Sequence, residues 1–122
     1  MPHLTIDCSS QLAGAFDPGV LVKELHTLVL EESGSRGVCK TLLRTSEAYI
    51  GDATGAESRF VHVEVGLMPG RSEARKARLS ENILALLARH LPLEGAEGTV
   101  TSAEVRDLAD SYRLSTPSRP SP

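Results

Sequence analysis

Residues 59–67 alternate without a break. Val61, Val63, Val65 and Leu67 fall on one side, and Phe60, His62 and Glu64 on the other. That period belongs to a strand with one buried face. A shorter alternation opens the chain, with Leu4, Ile6 and Cys8 set against His3, Thr5 and Asp7. A helical run follows each of these strands. In the first, Leu21, Leu25, Leu28 and Val29 recur at helical spacing behind Asp17 as N-cap and Pro18 at the first helical position. Ser33-Gly34-Ser35-Arg36-Gly37 ends it. In the second, Leu79, Ile83, Leu86 and Leu87 repeat the spacing, with the turn Met68-Pro69-Gly70 before it, Ser72 as N-cap and Pro92 as the stop.

Residues 38–50 read as a further strand, less clearly alternating, and residues 51–55 as a loop. Residues 99–106 fit a last strand, but the pattern there is weak and 104–113 fits a helical turn equally well. The order is therefore strand, helix, strand, loop, then strand, helix, strand. A strand–helix–strand crossover is right-handed and lays its two strands parallel. The expected fold is α/β: a duplicated β-α-β unit making a four-stranded mixed sheet, with two helices on one face. The other face is bare in a single chain, so other subunits are expected to bury it.

The chain has 122 residues, which fits one domain over 1–114. Ser115 to Pro122, with three prolines and three serines, reads as a disordered tail. A domain of this size buries roughly two thirds of the surface that its unfolded chain exposes. With two Phe, two Tyr and no Trp, its core must be aliphatic. A net charge of −3 argues against a nucleic-acid partner. No stretch reaches the ~20 apolar residues of a membrane span, and no signal peptide is visible because Asp7 and Ser9-Ser10-Gln11 interrupt the start. The expectation is a cytoplasmic protein with Cys8 and Cys39 reduced. Cys8 suits a buried strand position. Without a CxxC spacing the two cysteines give no metal site.

The start of the chain carries a chemical possibility. It reads Met1-Pro2-His3-Leu4-Thr5-Ile6. A small residue behind the initiator permits removal of the methionine, which would free the ring nitrogen of Pro2 as a secondary amine. A free α-amino group titrates at about pH 7.7–8.0. A dry or cationic pocket lowers that value and makes the group a general base near neutrality. Met-Pro is also an ordinary way for a chain to begin, so the dipeptide alone does not decide.

Three segments carry a family resemblance. Pro2-His3-Leu4-Thr5-Ile6-Asp7-Cys8-Ser9 resembles the amino terminus of the 5-carboxymethyl-2-hydroxymuconate isomerases, members of the superfamily of 4-oxalocrotonate tautomerase and macrophage migration inhibitory factor. Phe60-Val61-His62-Val63 resembles their third strand. Gly70-Arg71-Ser72, with the amphipathic helix ending near His90, resembles their second helix and its start. The resemblance implies a tautomerase-like homotrimer that needs no metal or organic cofactor. It also implies Pro2 as catalytic base and Arg71 as the binder of a substrate carboxylate. The family's second arginine follows the glycine that opens its second strand. Here that stretch reads Gly37-Val38-Cys39-Lys40-Thr41-Leu42-Leu43-Arg44. Lys40 is the nearest cation and Arg44 lies further along the strand. Lysine neutralises a carboxylate but lacks the planar fork for two parallel hydrogen bonds. The family's tryptophan in that strand is also missing.

The implied reaction moves a proton from the enol oxygen of a 2-hydroxymuconate to carbon. It needs a base of near-neutral pKa, cations for the carboxylates and stabilisation of a dienolate. Pro2 would move the proton, Arg71 would hold one carboxylate, and Lys40 or Arg44 another. His62 and His3 are further candidates. A histidine on a strand face is ordinarily structural, and His3 fits a role in positioning the terminus. Arg71, Arg75, Lys76 and Arg78 also read simply as the solvated face of a helix. Cations in a first helical turn oppose the helix dipole unless an anion visits, which favours the binding role. Two alternatives stand beside this reading: a superfamily tautomerase with another enol or keto acid substrate, and a non-catalytic oligomeric binding protein.

Overall fold

The computed structural model describes residues 2–91 and 98–117. Strand β1 (His3–Ser9) leads through a short 3-10 turn (Ser10–Leu12) to helix α1 (Pro18–Ser33) and strand β2 (Lys40–Ser46). A two-residue strand β3 (Ile50–Gly51) precedes the long strand β4 (Glu57–Leu67). Helix α2 (Glu73–His90) and strand β5 (Thr99–Asp107) complete the order. Pro92, read as the helix stop, and residues 118–122 of the tail lie outside the described residues.

Both crossovers give parallel pairs, β1 with β2 and β4 with β5. The two units join through an antiparallel pairing of β1 and β4, from His3↔Gly66 to Cys8↔Val61. The main sheet therefore runs β2-β1-β4-β5. β3 is a fifth strand and a correction to the expected four. It pairs with the start of β4 across a turn that the Asp52 carboxylate organises, accepting from the N–H groups of Thr54 and Ala56. Side chain–backbone bonds of this kind stabilise a turn without leaving any hydrophobic period to read. The helical alternative for 104–113 is also overturned, since β5 continues to Asp107 in register with β4.

The alternation read from the sequence decides which face is covered. Leu4, Ile6, Val61, Val63 and Val65 are fully buried beneath Leu21, Leu25 and Val29 of α1 and Ile83 and Leu87 of α2. Cys8 is buried among them. Each helix begins on its expected cap: Asp17 accepts from Val20 N–H, and Ser72 from Arg75 N–H. Helix α1 ends at Gly34, whose φ of 71° needs a residue without a Cβ. On the open face lie His3, Thr5 and Asp7 of β1, Lys40, Leu42 and Arg44 of β2, Phe60, His62 and Glu64 of β4, and Val100, Ser102, Glu104 and Arg106 of β5. Leu42 and Val100 are exposed there.

Ile6 sits at the centre of this core, between β2 and β4. Ile6→Ala should lower unfolding free energy by about 2–5 kcal/mol, read as a fall in the urea midpoint with an unchanged slope.

Candidate functional site

The antiparallel β1–β4 joint brings the start of β1 to the end of β4, where α1 ends and α2 begins. Pro2 lies at that end and is buried. Its carbonyl accepts from Lys40 N–H at 3.1 Å. Strand alternation places Pro2 on the helix side with Leu4 and Ile6. The helix termini above it are held by arginine. Arg71 donates to the Ser33 carbonyl through Nε (3.1 Å) and Nη2 (2.8 Å), and to the Met68 carbonyl through Nη1 (2.9 Å). Arg75 donates through Nε to the Glu32 carbonyl at 3.0 Å. The Ser33 and Glu32 carbonyls belong to the negative end of the α1 dipole, which favours cations. The basic cluster at the start of α2 thus already has a partner of opposite polarity within the chain. Three of the five N–H donors of Arg71 are engaged. Beside them Lys76 is buried and bonded to Glu73 (2.7 Å) and to Asp107 at the end of β5 (3.3 Å).

Rows across the open face separate the other candidates. The row level with the strand start is Lys40, His3, Gly66 and Arg106. His3 Nε2 and the Tyr112 hydroxyl are 3.1 Å apart, and the two rings meet edge to face at 5.2 Å. Burial lowers the His3 pKa, and the positive charges of Lys40 and Arg106 lower it further. Arg106 is itself ion-paired with Glu64.

A second row holds Arg44, Asp7, His62 and Ser102. Arg44 grips Asp7 with both branches, Nε–Oδ1 at 2.8 Å and Nη2–Oδ2 at 3.0 Å. His62 Nδ1 and Ser102 Oγ are 2.7 Å apart. From His3 to Asp7 is four residues of strand, about 13 Å.

Within one chain Pro2 and Arg71 therefore lie on the helix side near the start of β1, His3 and Lys40 lie on the open face at the same end, and Arg44 and His62 lie further along the strands. The structure adds Arg106 and Tyr112, which sequence reasoning passed over. Arg106 lies near the end of the weakly patterned last strand, and Tyr112 follows it in a stretch without periodicity. A cavity of about 620 Å³ opens elsewhere, between α1 and α2, lined by Glu24, Leu28 and His90 among others. His90 ends α2, so this cavity reaches the opposite end of the sheet from Pro2. Among the described residues no three His, Cys, Asp or Glu side chains gather into a group that could hold a metal ion, and no helix is long and apolar enough to cross a membrane.

The profile of the 5-carboxymethyl-2-hydroxymuconate isomerase family matches residues 2–116. The chain belongs to that family. The isomerase is similar in structure to a 5-carboxymethyl-2-hydroxymuconate isomerase from Deinococcus radiodurans R1, with a TM-score of 0.77 at 24% identity, over 94% of this chain and 88% of the other. A 5-carboxymethyl-2-hydroxymuconate delta-isomerase matches with a TM-score of 0.69 at 25% identity, over 96% and 89%. A fused 4-OT symmetric trimer shares the fold with a TM-score of 0.67 at 20% identity, over 87% and 85%. No curated protein matches the chain.

Two outcomes follow for this isomerase. Arg71→Ala leaves the last carbonyl of α1 without its donors and should cost about 1–3 kcal/mol in chemical denaturation. His3 should titrate below 6.5 when followed by NMR. Because the folded state binds this proton less readily than the unfolded chain, the His3 contribution lowers folding stability as pH falls below 6.5.

Proposed function

We propose that this isomerase acts without a cofactor on an unsaturated 2-hydroxy carboxylate of the 5-carboxymethyl-2-hydroxymuconate type, with Pro2 as general base. The observation that carries the reading is the place of Pro2. It is buried at the tip of β1, under the joined helix ends, in a chain whose family match begins at that residue. Removal of Met1 gives Pro2 a basic ring nitrogen. Lys40 is the next cation, with its backbone N–H on the Pro2 carbonyl and its side chain on the open face; its charge would lower the pKa of the Pro2 ammonium. The nitrogen takes the proton of the 2-hydroxyl. The O–H electron pair becomes the carbonyl π bond, the double bonds shift, and a carbon of the dienolate receives the proton back. Lys40 holds one carboxylate as a point charge. The two N–H groups of Arg71 not engaged by Ser33 and Met68 offer a second contact.

One observation favours a substrate with fewer carboxylates. Arg71 is largely committed to the backbone carbonyls of Ser33 and Met68, and Lys40 lacks a planar fork, so the site is poorly supplied for gripping several carboxylates in fixed orientation. A simpler enol acid is the second reading. The open sheet face supports assembly. Leu42 and Val100 are exposed on it, and the related fold is described as a symmetric trimer. A homotrimer working in the cytoplasm, in the breakdown of aromatic compounds, is the setting that suits this chemistry.

Intact-mass measurement should find the protein without Met1; a retained methionine makes the Pro2 nitrogen an amide and ends the proposal. With 2-hydroxymuconate as probe, Pro2→Ala should reduce kcat/KM at least about a hundredfold. Lys40→Ala should raise KM about tenfold, a loss of about 1.4 kcal/mol in binding. Wild-type rates in the Pro2 variant would leave a binding protein as the better description.

A further inference from the structure

Residues 108–113 leave the end of β5 and fold against the start of β1. Leu108 is buried, and its N–H donates to the Leu67 carbonyl at 2.7 Å. It lies so close to Gly66 that a Cβ there would come within 2.7 Å of Leu108 Cδ2. A turn closed by Tyr112 N–H and the Ala109 carbonyl (2.9 Å) then presents the Tyr112 ring to His3. Arg113 Nη1 donates to the carbonyls of Asp110 and Tyr112, both at 2.8 Å, which stiffens the turn.

This contact matters because of what Pro2 lacks. A ring nitrogen that acts as a base cannot also be tied into the ladder. The Pro2 carbonyl is tied to Lys40, and the next residue must supply the rest of the anchoring. The first residues of a chain fray unless tied down, and proton transfer tolerates little misplacement. His3 is tied from the side by a residue 109 positions away.

We propose that Tyr112 is a positioning residue for the Pro2 site: through its hydrogen bond to His3 it holds the start of β1 in one place, so that the ring nitrogen stays aligned with bound substrate. The inference rests on the Pro2 reading above. The imidazole faces Lys40 from β2, Arg106 from β5 with its partner Glu64 on β4, and Tyr112 from the carboxyl-terminal segment. In that cationic setting the Tyr112 hydroxyl is the hydrogen-bond partner of Nε2.

The test compares Tyr112→Phe, Pro2→Ala and, as control, Tyr49→Phe at an exposed tyrosine, with 2-hydroxymuconate as substrate. Tyr112→Phe keeps the ring and removes the bond. Its kcat should fall about tenfold or more with KM within about twofold. The His3 titration, followed by NMR, should shift, because the ring loses its hydrogen-bond partner. Tyr49→Phe should change neither. Wild-type kcat and His3 titration in Tyr112→Phe, alongside an inactive Pro2→Ala, would overturn the role of Tyr112 and leave the proline base standing. A kcat loss that disappears once rates are corrected for folded fraction would overturn it too. Full activity in Pro2→Ala would instead remove the proline reading, and this inference with it.

Discussion

The antiparallel joint between β1 and β4 governs the molecule. On its covered face Leu4, Ile6 and Cys8 meet Val65, Val63 and Val61 in direct register. None of these side chains is large or polar, so the joint gains its stability from close-packed aliphatic surface on a single side. Its register also sets position. Pairing His3 with Gly66 brings the first residues of the chain to the place where β4 hands over to α2. A slip of β1 by one residue would turn Leu4, Ile6 and Cys8 outward and Asp7 inward.

Electrostatics at the helix ends follow from that placement. The end of α1 carries carbonyl groups without partners inside the helix. Arg71 and Arg75 supply donors to two of them, across separations of 38 and 43 residues. A basic cluster that looks unfavourable for α2 on its own is favourable for the pair of helices. Beside the two readings of these charges, a solvated helix face or an anion site, the structure adds the neighbouring helix as a partner.

Much of the frame was legible in the sequence. β1, β4 and both helices announce themselves through unbroken hydrophobic periods, and Asp17, Ser72 and Gly34 mark helix ends by local chemistry. β2 was harder because Leu42, on the open face, sits beside Leu43, which packs on the core, and that breaks the alternation. β5 lies at the sheet edge, where Thr99, Thr101 and Ala103 face the helices and only modest apolar surface is needed. The site was legible only in part. Pro2 stands out through its place in the chain, and Lys40 through its neighbourhood in sequence. The pairing of Arg44 with Asp7, the carbonyl partners of Arg71 and the meeting of His3 with Tyr112 are contacts between distant segments. No local pattern encodes them.

The edge-to-face meeting of His3 and Tyr112 places the start of β1 and the segment after β5 side by side. Folds whose first and last elements adjoin are the usual subjects of circular permutation, with a new start cut into some surface loop. Under the proline-base reading this one would not tolerate it. Splicing the old ends together turns a titratable ring nitrogen into a peptide bond, and an affinity tag fused ahead of Pro2 does the same. The topology is thus bound to one starting point by acid–base chemistry, while its packing would allow many.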